Sequence, residues 1–206
     1  TFKINWVGSQ CNNHSLALVN RELCKRLIVE NKFDIGIISY EEDSNFVMDK
    51  EMKSIKERYV TRDSQADITV RHQWPPDFTR PNSGRWILMQ PWEFGSIPRK
   101  WYIPMKYWVD EIWVYSTYNK ACYVQSGIPE SKIKVIPLGV DENTFHYHVE
   151  PMALNTNKSF RFLFVGGTIL RKGIDILLQA YLDEFTPEDD VCLVIKDFGT
   201  NSFYNG

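Results

Sequence analysis

The stretch Phe160 to Tyr181, FRFLFVGGTILRKGIDILLQAY, constrains this chain more than any other. Phe160, Phe162, Leu163, Phe164 and Val165 form an apolar run of strand length, which reads as a buried strand, and Gly166 and Gly167 end it. Ile174, Leu177, Leu178 and Tyr181 then recur at helical spacing. Thr168, Arg171 and Lys172 therefore fall in the loop that leads into a helix N-terminus. Unpaired backbone N–H groups and the positive end of the helix dipole favour an anion there, and two cations strengthen the preference. A phosphate or diphosphate suits that combination. Spacing alone leaves equally open an ordinary strand-to-helix turn with two solvated charges.

The same alternation runs through the earlier part of the chain. Strands are expected at Phe2 to Val7, Asp34 to Tyr40, Asp67 to Arg71, Trp86 to Met89, Glu111 to Tyr115 and Lys132 to Ile136. Ser15 is placed to cap a helix whose apolar face is Leu16, Val19, Leu23 and Leu27, and Ser116 to Gln125 reads as helical. The charged segment Glu41 to Gln65 reads as helix plus loop. Such alternation predicts an α/β fold with a parallel sheet and ligands at the strand C-terminal ends. The polar segment Asp141 to Lys158 separates this unit from a second β–α–β unit made of Phe160 to Val165, the helix and Val191 to Lys196. The expected division is residues 1–150 and 151–206. One β–α–β unit has too few strands to close a sheet core, so a longer parent protein is expected.

Composition excludes several classes. Of the 206 residues, 43% are hydrophobic, enough for a globular core. A net charge of −2 argues against a nucleic-acid binder, and no apolar run approaches the ~18 residues of a membrane span. Cys11, Cys24, Cys122 and Cys192 are scattered, without a metal or disulfide pattern. With the first strand starting almost at Thr1, no signal peptide is read and a cytoplasmic location is expected.

Val109 to Phe145, VDEIWVYSTYNKACYVQSGIPESKIKVIPLGVDENTF, resembles the crossover region of glycosyltransferases with the two-domain GT-B fold, specifically the large retaining group called family 4. Val135, Ile136, Pro137, Gly139, Val140, Asp141 and Phe145 match its Val-Ile-Pro-x-Gly-Val-Asp motif and the Phe that follows. Phe164, Val165, Gly166, Lys172 and Gly173 match its Phe-Val-Gly, short loop and Lys-Gly before a helix. The resemblance covers roughly the C-terminal half of the chain. It implies a Rossmann-like N-terminal acceptor domain and the start of a nucleotide-sugar-binding domain. It also implies a metal-independent, retaining hexosyltransferase of carbohydrate biosynthesis, with no cofactor beyond its nucleotide-sugar donor. The acceptor would be a carbohydrate or lipid-linked molecule, and peripheral membrane contact is common in the family.

The resemblance further implies that Gly166, Gly167, Thr168, Arg171 and Lys172 hold the donor diphosphate. A guanidinium and an ammonium there stabilise charge on the leaving group more in the transition state than before it. Many members carry the arginine directly after Val-Gly, where this chain has Gly167, so Lys172 is the firmer assignment. The family's Glu-x7-Glu pair is not found in the second unit, and this chain alone is expected to give no turnover. A noncatalytic sugar- or nucleotide-binding module of the same ancestry is the alternative. A nicotinamide enzyme is disfavoured by the missing G-x-G-x-x-G.

Six of the seven tryptophans fall between Trp74 and Trp113. Trp86, Trp108 and Trp113 lie in or beside strand patterns and are expected in the core. Trp74 and Trp92 lie just beyond strand ends and are candidates for an acceptor-side aromatic wall. His72 ends a strand and could orient a sugar hydroxyl or be structural. Where the family presents a histidine after the following strand, this chain has Gln90 and Glu93; Glu93 is the candidate base. Gly8 and Ser9 form a loop after the first strand that the fold places at the ligand edge.

Overall fold

The computed structural model describes residues 1–42, 49–62 and 64–197. They divide into two compact units, with the boundary between Val140 and Asp141. The first is a six-stranded parallel sheet in the order β2-β1-β3-β4-β5-β6. Its strands are β1 (Lys3–Val7), β2 (Asp34–Ile38), β3 (Ile68–Arg71), β4 (Arg85–Met89), β5 (Glu111–Val114) and β6 (Ile133–Val135). All pairs are parallel, with Trp6 between Ile37 of β2 and Val70 of β3. This is a Rossmann-like α/β fold, as the alternation of strands and helices predicts.

Strand alternation sends successive side chains to opposite faces, and both faces are covered. Ile87 and Met89 of β4 join Ile4, Trp6, Ile35 and Ile37 beneath helices α1 (Ser15–Glu30) and α2 (Lys50–Lys56). Trp86 and Leu88 point the other way, into a cluster with Trp101, Met105, Ile112 and Tyr123. That second face is covered by α3 (Arg99–Ile103), which continues as a π-helical turn over Pro104–Trp108, and by α4 (Thr117–Gln125). Proline at position 104 has no N–H for the helical ladder. The ladder resumes with Val109 N–H donating to Pro104 O at 3.0 Å, an i→i−5 bond.

Helix α1 departs from expectation in two ways. His14, not Ser15, caps it: Nδ1 accepts from the Ala17 N–H at 3.2 Å. Its fully buried residues are Ala17, Asn20, Arg21 and Cys24. Val19, Leu23 and Leu27 pack only at the margin of the core. The buried stripe is rotated because Asn20 and Arg21 satisfy backbone groups at the strand ends. Of the charged segment Glu41 to Gln65, Lys50–Lys56 is helical, capped by Asp49, while residues 43–48 and 63 lie outside the described residues.

In the second unit, β7 (Phe160–Val165) pairs in parallel with β8 (Val191–Lys196), and α5 (Ile174–Glu184) connects them after a 3-10 turn at Leu170–Lys172. Phe162 packs on Tyr181 and Phe185, with ring centroids 6.2 and 5.6 Å away. The expectation that β7 is buried is overturned, since Phe160, Leu163 and Val165 are 56%, 68% and 68% exposed. Among the described residues this sheet has two strands and one helix, too little to cover both faces. Residues 141–158 carry no helix or strand among the described residues. There the Asp141 carboxylate accepts from Asn143 N–H at 3.1 Å and the Thr144 hydroxyl at 2.7 Å, so the motif aspartate holds a local turn.

Candidate functional site

The order β2-β1-β3 reverses direction at β1, and in such sheets ligands bind outside the carboxyl ends of the strands at that switch point. Gly8 and Ser9 leave β1 there, and His72 leaves β3, with its N–H donating to Val7 O at 2.9 Å. A Cβ on Gly8 would lie 2.4 Å from both Asn20 Nδ2 and His72 O, so the close approach of loop, helix and strand end demands glycine. Ser9 and Gln10 are buried.

Asn20 organises the centre. Its amide N–H groups donate to Ser9 O at 3.0 Å and His72 O at 3.1 Å. Its Oδ1 accepts from Trp6 Nε1 at 2.8 Å and stands 2.7 Å from His72 Nδ1. With the amide so oriented, His72 Nδ1 carries the proton. Nε2 is then an acceptor, and the Tyr115 hydroxyl, 2.6 Å away, donates to it. Burial first, and His14 second, push the His72 pKa down to about 4. His72 is a fully buried, neutral imidazole with both nitrogens engaged; the partly buried Tyr115 hydroxyl is the outer end of the chain of bonds.

A second group ties β1 to β2. The Glu41 carboxylate accepts from Ser9 Oγ at 2.5 Å, His14 Nε2 at 2.8 Å and Asn12 Nδ2 at 3.2 Å. Burial pushes the Glu41 pKa up, but the bonds from Ser9, His14 and Asn12 outweigh it and hold the carboxyl below its usual range. Arg21 Nη1 donates to Gln10 O at 2.6 Å, strapping the same loop to α1.

Three buried glutamines end neighbouring strands: Gln10 after β1, Gln73 after β3 and Gln90 after β4. Their amide oxygens have no hydrogen-bond partner, while the amide N–H groups of Gln73 and Gln90 turn to Pro75 O and Pro91 O. Glu93 is exposed beyond Trp92, three residues after Gln90.

Beside this layer runs a groove of about 690 Å3 lined by Trp74, Trp92, Trp101 and Trp108, with Phe78, Ile103, four prolines and Lys100. Trp74 and Trp92 stack at 6.5 Å and 21°, and buried Trp101 meets both edge-on. Trp86 is buried and Trp113 packs against the core, but Trp108, expected in the core, is 40% exposed. The π turn swings its ring outward to the groove.

In the second unit, Gly166 adopts φ 156°, a backbone that side chains rarely take, and its N–H donates to Lys196 O at 3.0 Å. Thr168 gives its N–H and hydroxyl to the Asp197 carboxylate, at 3.2 and 2.9 Å. Arg171 and Lys172 are exposed on the 3-10 turn, and Gly173 starts α5 with no side-chain cap. The turn thus presents two cations at an uncapped helix N-terminus, with Thr168 committed to Asp197.

No family model and no curated protein matches the chain. Solved structures do. The fold is shared with Anabaena Alr3699/HepE. The complex of that protein with UDP and glucose aligns with TM-score 0.63 and 13% identity, over 95% of this chain and 60% of that one. Its UDP-glucose complex aligns with TM-score 0.63, 12% identity and the same coverage. The UDP complex gives 0.58 and 12%, over 94% and 60%. The present chain therefore spans about 60% of the length of the HepE chains.

Sequence reasoning missed Asn20, Tyr115, Glu41, Gln73 and Trp101. Asn20 and Tyr115 carried no motif, though Gly8 followed by a polar residue inside a helix pattern was an available signal. Among the described residues, no group of three or more His, Cys, Asp or Glu side chains is placed to hold a metal ion, and no helix is long and apolar enough to cross a membrane.

Proposed function

We propose that the chain comprises the acceptor-side domain and the opening of the donor domain of a retaining, metal-independent GT-B glycosyltransferase of the family 4 type. It would move a sugar from a nucleoside diphosphate to an acceptor hydroxyl, at a cytoplasmic location. The carrying observation is the fold shared, over 95% of the chain, with a protein solved with UDP, glucose and UDP-glucose. Lys172, aided by Arg171, holds the donor diphosphate at the N-terminus of α5, and Gly166 and Gly167 let it approach the backbone. Thr168 acts through Asp197 as the brace of that loop.

In the first unit, Gly8 and Ser9 form the floor at the switch point. Gln90, buried at the end of β4, is a positioning residue, and Glu93 is the base candidate. His72 is a positioning residue: neutral and enclosed, it fixes Tyr115 and the β1–α1 loop. Trp74 and Trp92 wall the acceptor side. A noncatalytic sugar- or nucleotide-binding module of the same fold is the second reading.

Binding rather than turnover is the fitting assay, because the chain spans about 60% of the HepE length. Calorimetry with UDP-glucose, UDP, UMP and NAD, each with and without EDTA, should show UDP and UDP-glucose saturating, UMP weaker, NAD silent and EDTA without effect. Preference for NAD, or no binding by any diphosphate, would overturn the proposal. Product formed by a longer parent would exclude the noncatalytic reading, and the anomeric configuration of that product decides retention.

A further inference from the structure

The groove beside the strand ends has an unusual polar inventory. Its lining side chains are tryptophan, phenylalanine, isoleucine, proline and one lysine. Every polar atom among them is a donor, an indole N–H or an ammonium, and none is an acceptor. Trp92 Nε1 is already committed to Ser96 O at 3.1 Å. Each hydroxyl of a sugar brings a donor that these side chains cannot accept, leaving only main-chain carbonyls and water to pair it. An ionised phosphate is acceptor-only and has the complementary need.

Charge points the same way. Lys100 lines the groove, and the Arg80 guanidinium lies over the Trp108 ring, 5.6 Å from its centroid. Lys106 sits on the same π turn, bonded to the Tyr102 hydroxyl. Of the nearby acids, Asp77 is turned onto Arg71, at 3.6 Å, and Glu93 lies beyond Trp92. The remaining surface is apolar and open, with Trp74, Ile103 and Trp108 43%, 48% and 40% exposed. A volume of about 690 Å3 is within the range of small-molecule sites.

We propose that this groove binds a phosphate-headed hydrocarbon, with the chain along the indoles and Ile103 and the phosphate on Lys100 and Arg80. The acceptor of the transfer is then lipid-linked rather than a free saccharide. The acceptor role rests on the glycosyltransferase reading; the ligand chemistry rests on the groove alone.

The probe is decyl phosphate, kept monomeric as checked by light scattering and followed by calorimetry and tryptophan fluorescence. Octyl phosphate, maltose and inorganic phosphate serve as comparisons. Decyl phosphate should saturate, with maltose and inorganic phosphate silent. At about fourfold per methylene, octyl phosphate should bind on the order of tenfold more weakly. Lys100→Ala and the exposed Ile103→Ser should each weaken decyl phosphate several-fold with unchanged circular dichroism. Preferential maltose binding, no dependence on chain length, or binding to anionic vesicles but not to monomeric decyl phosphate would overturn the proposal. A parallel UDP titration separates the two readings. UDP binding without decyl phosphate binding refutes the groove ligand alone, and decyl phosphate binding without UDP binding refutes its role as acceptor.

Discussion

Acidification should expose the state of His72. Its imidazole is fully buried, with Nδ1–H held by Asn20 and Nε2 by the Tyr115 hydroxyl, and its pKa is pushed down to about 4. In the unfolded chain the same group titrates near ~6.5. Between these values the unfolded chain binds a proton that the folded one refuses. Stability therefore rises with pH across that window and is lost as pH falls through it. Integrated from pH 7, the loss attributable to His72 is about 2 kcal/mol at pH 4.5 and nears about 3 kcal/mol below pH 4. Other groups titrate in the same range, so the test is a difference: urea unfolding of the wild type and of His72→Gln at matched pH values. The variant is less stable throughout but should lack this part of the slope. The imidazole Cε1–H resonance of His72 should also stay fixed from pH 8 to 5. Equal slopes for both proteins, or a His72 resonance titrating near its ordinary pKa, would refute the buried neutral assignment.

Further outcomes follow from the same packing. Gly8→Ala places a Cβ 2.4 Å from the backbone oxygen of His72, which has no side-chain freedom to yield; a loss of about 2 kcal/mol or more, and a Tm lower by about 5 °C, is expected by calorimetry. Asn20→Ala strands the Trp6 indole N–H, the His72 Nδ1–H and two carbonyls. It should cost about 4 kcal/mol by urea unfolding, more than an ordinary helix-surface change. Trp101→Ala removes a buried ring that contacts Trp74, Trp92 and Phe78, and should cost about 3–5 kcal/mol and shift the emission of the remaining indoles.

The sheet was legible because parallel strands buried on both faces are written as short apolar runs bounded by polar loops. Arg85–Met89 and Ile133–Val135 lie within a residue or so of their expected positions. The π turn at Pro104–Trp108 was not legible, since prolines at 98 and 104 interrupt any helical period. Without it, Trp108 looked like core. The inward face of α1 was misread for a related reason. Periodicity counts apolar residues, and here Asn20 and Arg21 are buried to serve backbone carbonyls. The strand-end loops were legible as places, through Gly8, His72 and Gln90, but not as a network. Its hub and its outer end, Asn20 and Tyr115, are far apart in sequence and unremarkable in type. In β7 an apolar run implied burial, whereas exposure depends on how many strands and helices surround it.

The central claim is that the glycine and basic loop of the second unit grips a nucleoside diphosphate. Its most direct test is a UDP titration of isotope-labelled protein followed at backbone amides. Saturable shifts should concentrate at Gly166, Gly167 and the start of α5, and Lys172→Ala, an exposed position expected to leave stability within about 0.5 kcal/mol, should weaken binding about tenfold or more. Absence of shifts in that loop at saturating UDP, or undiminished affinity in Lys172→Ala, would contradict the account.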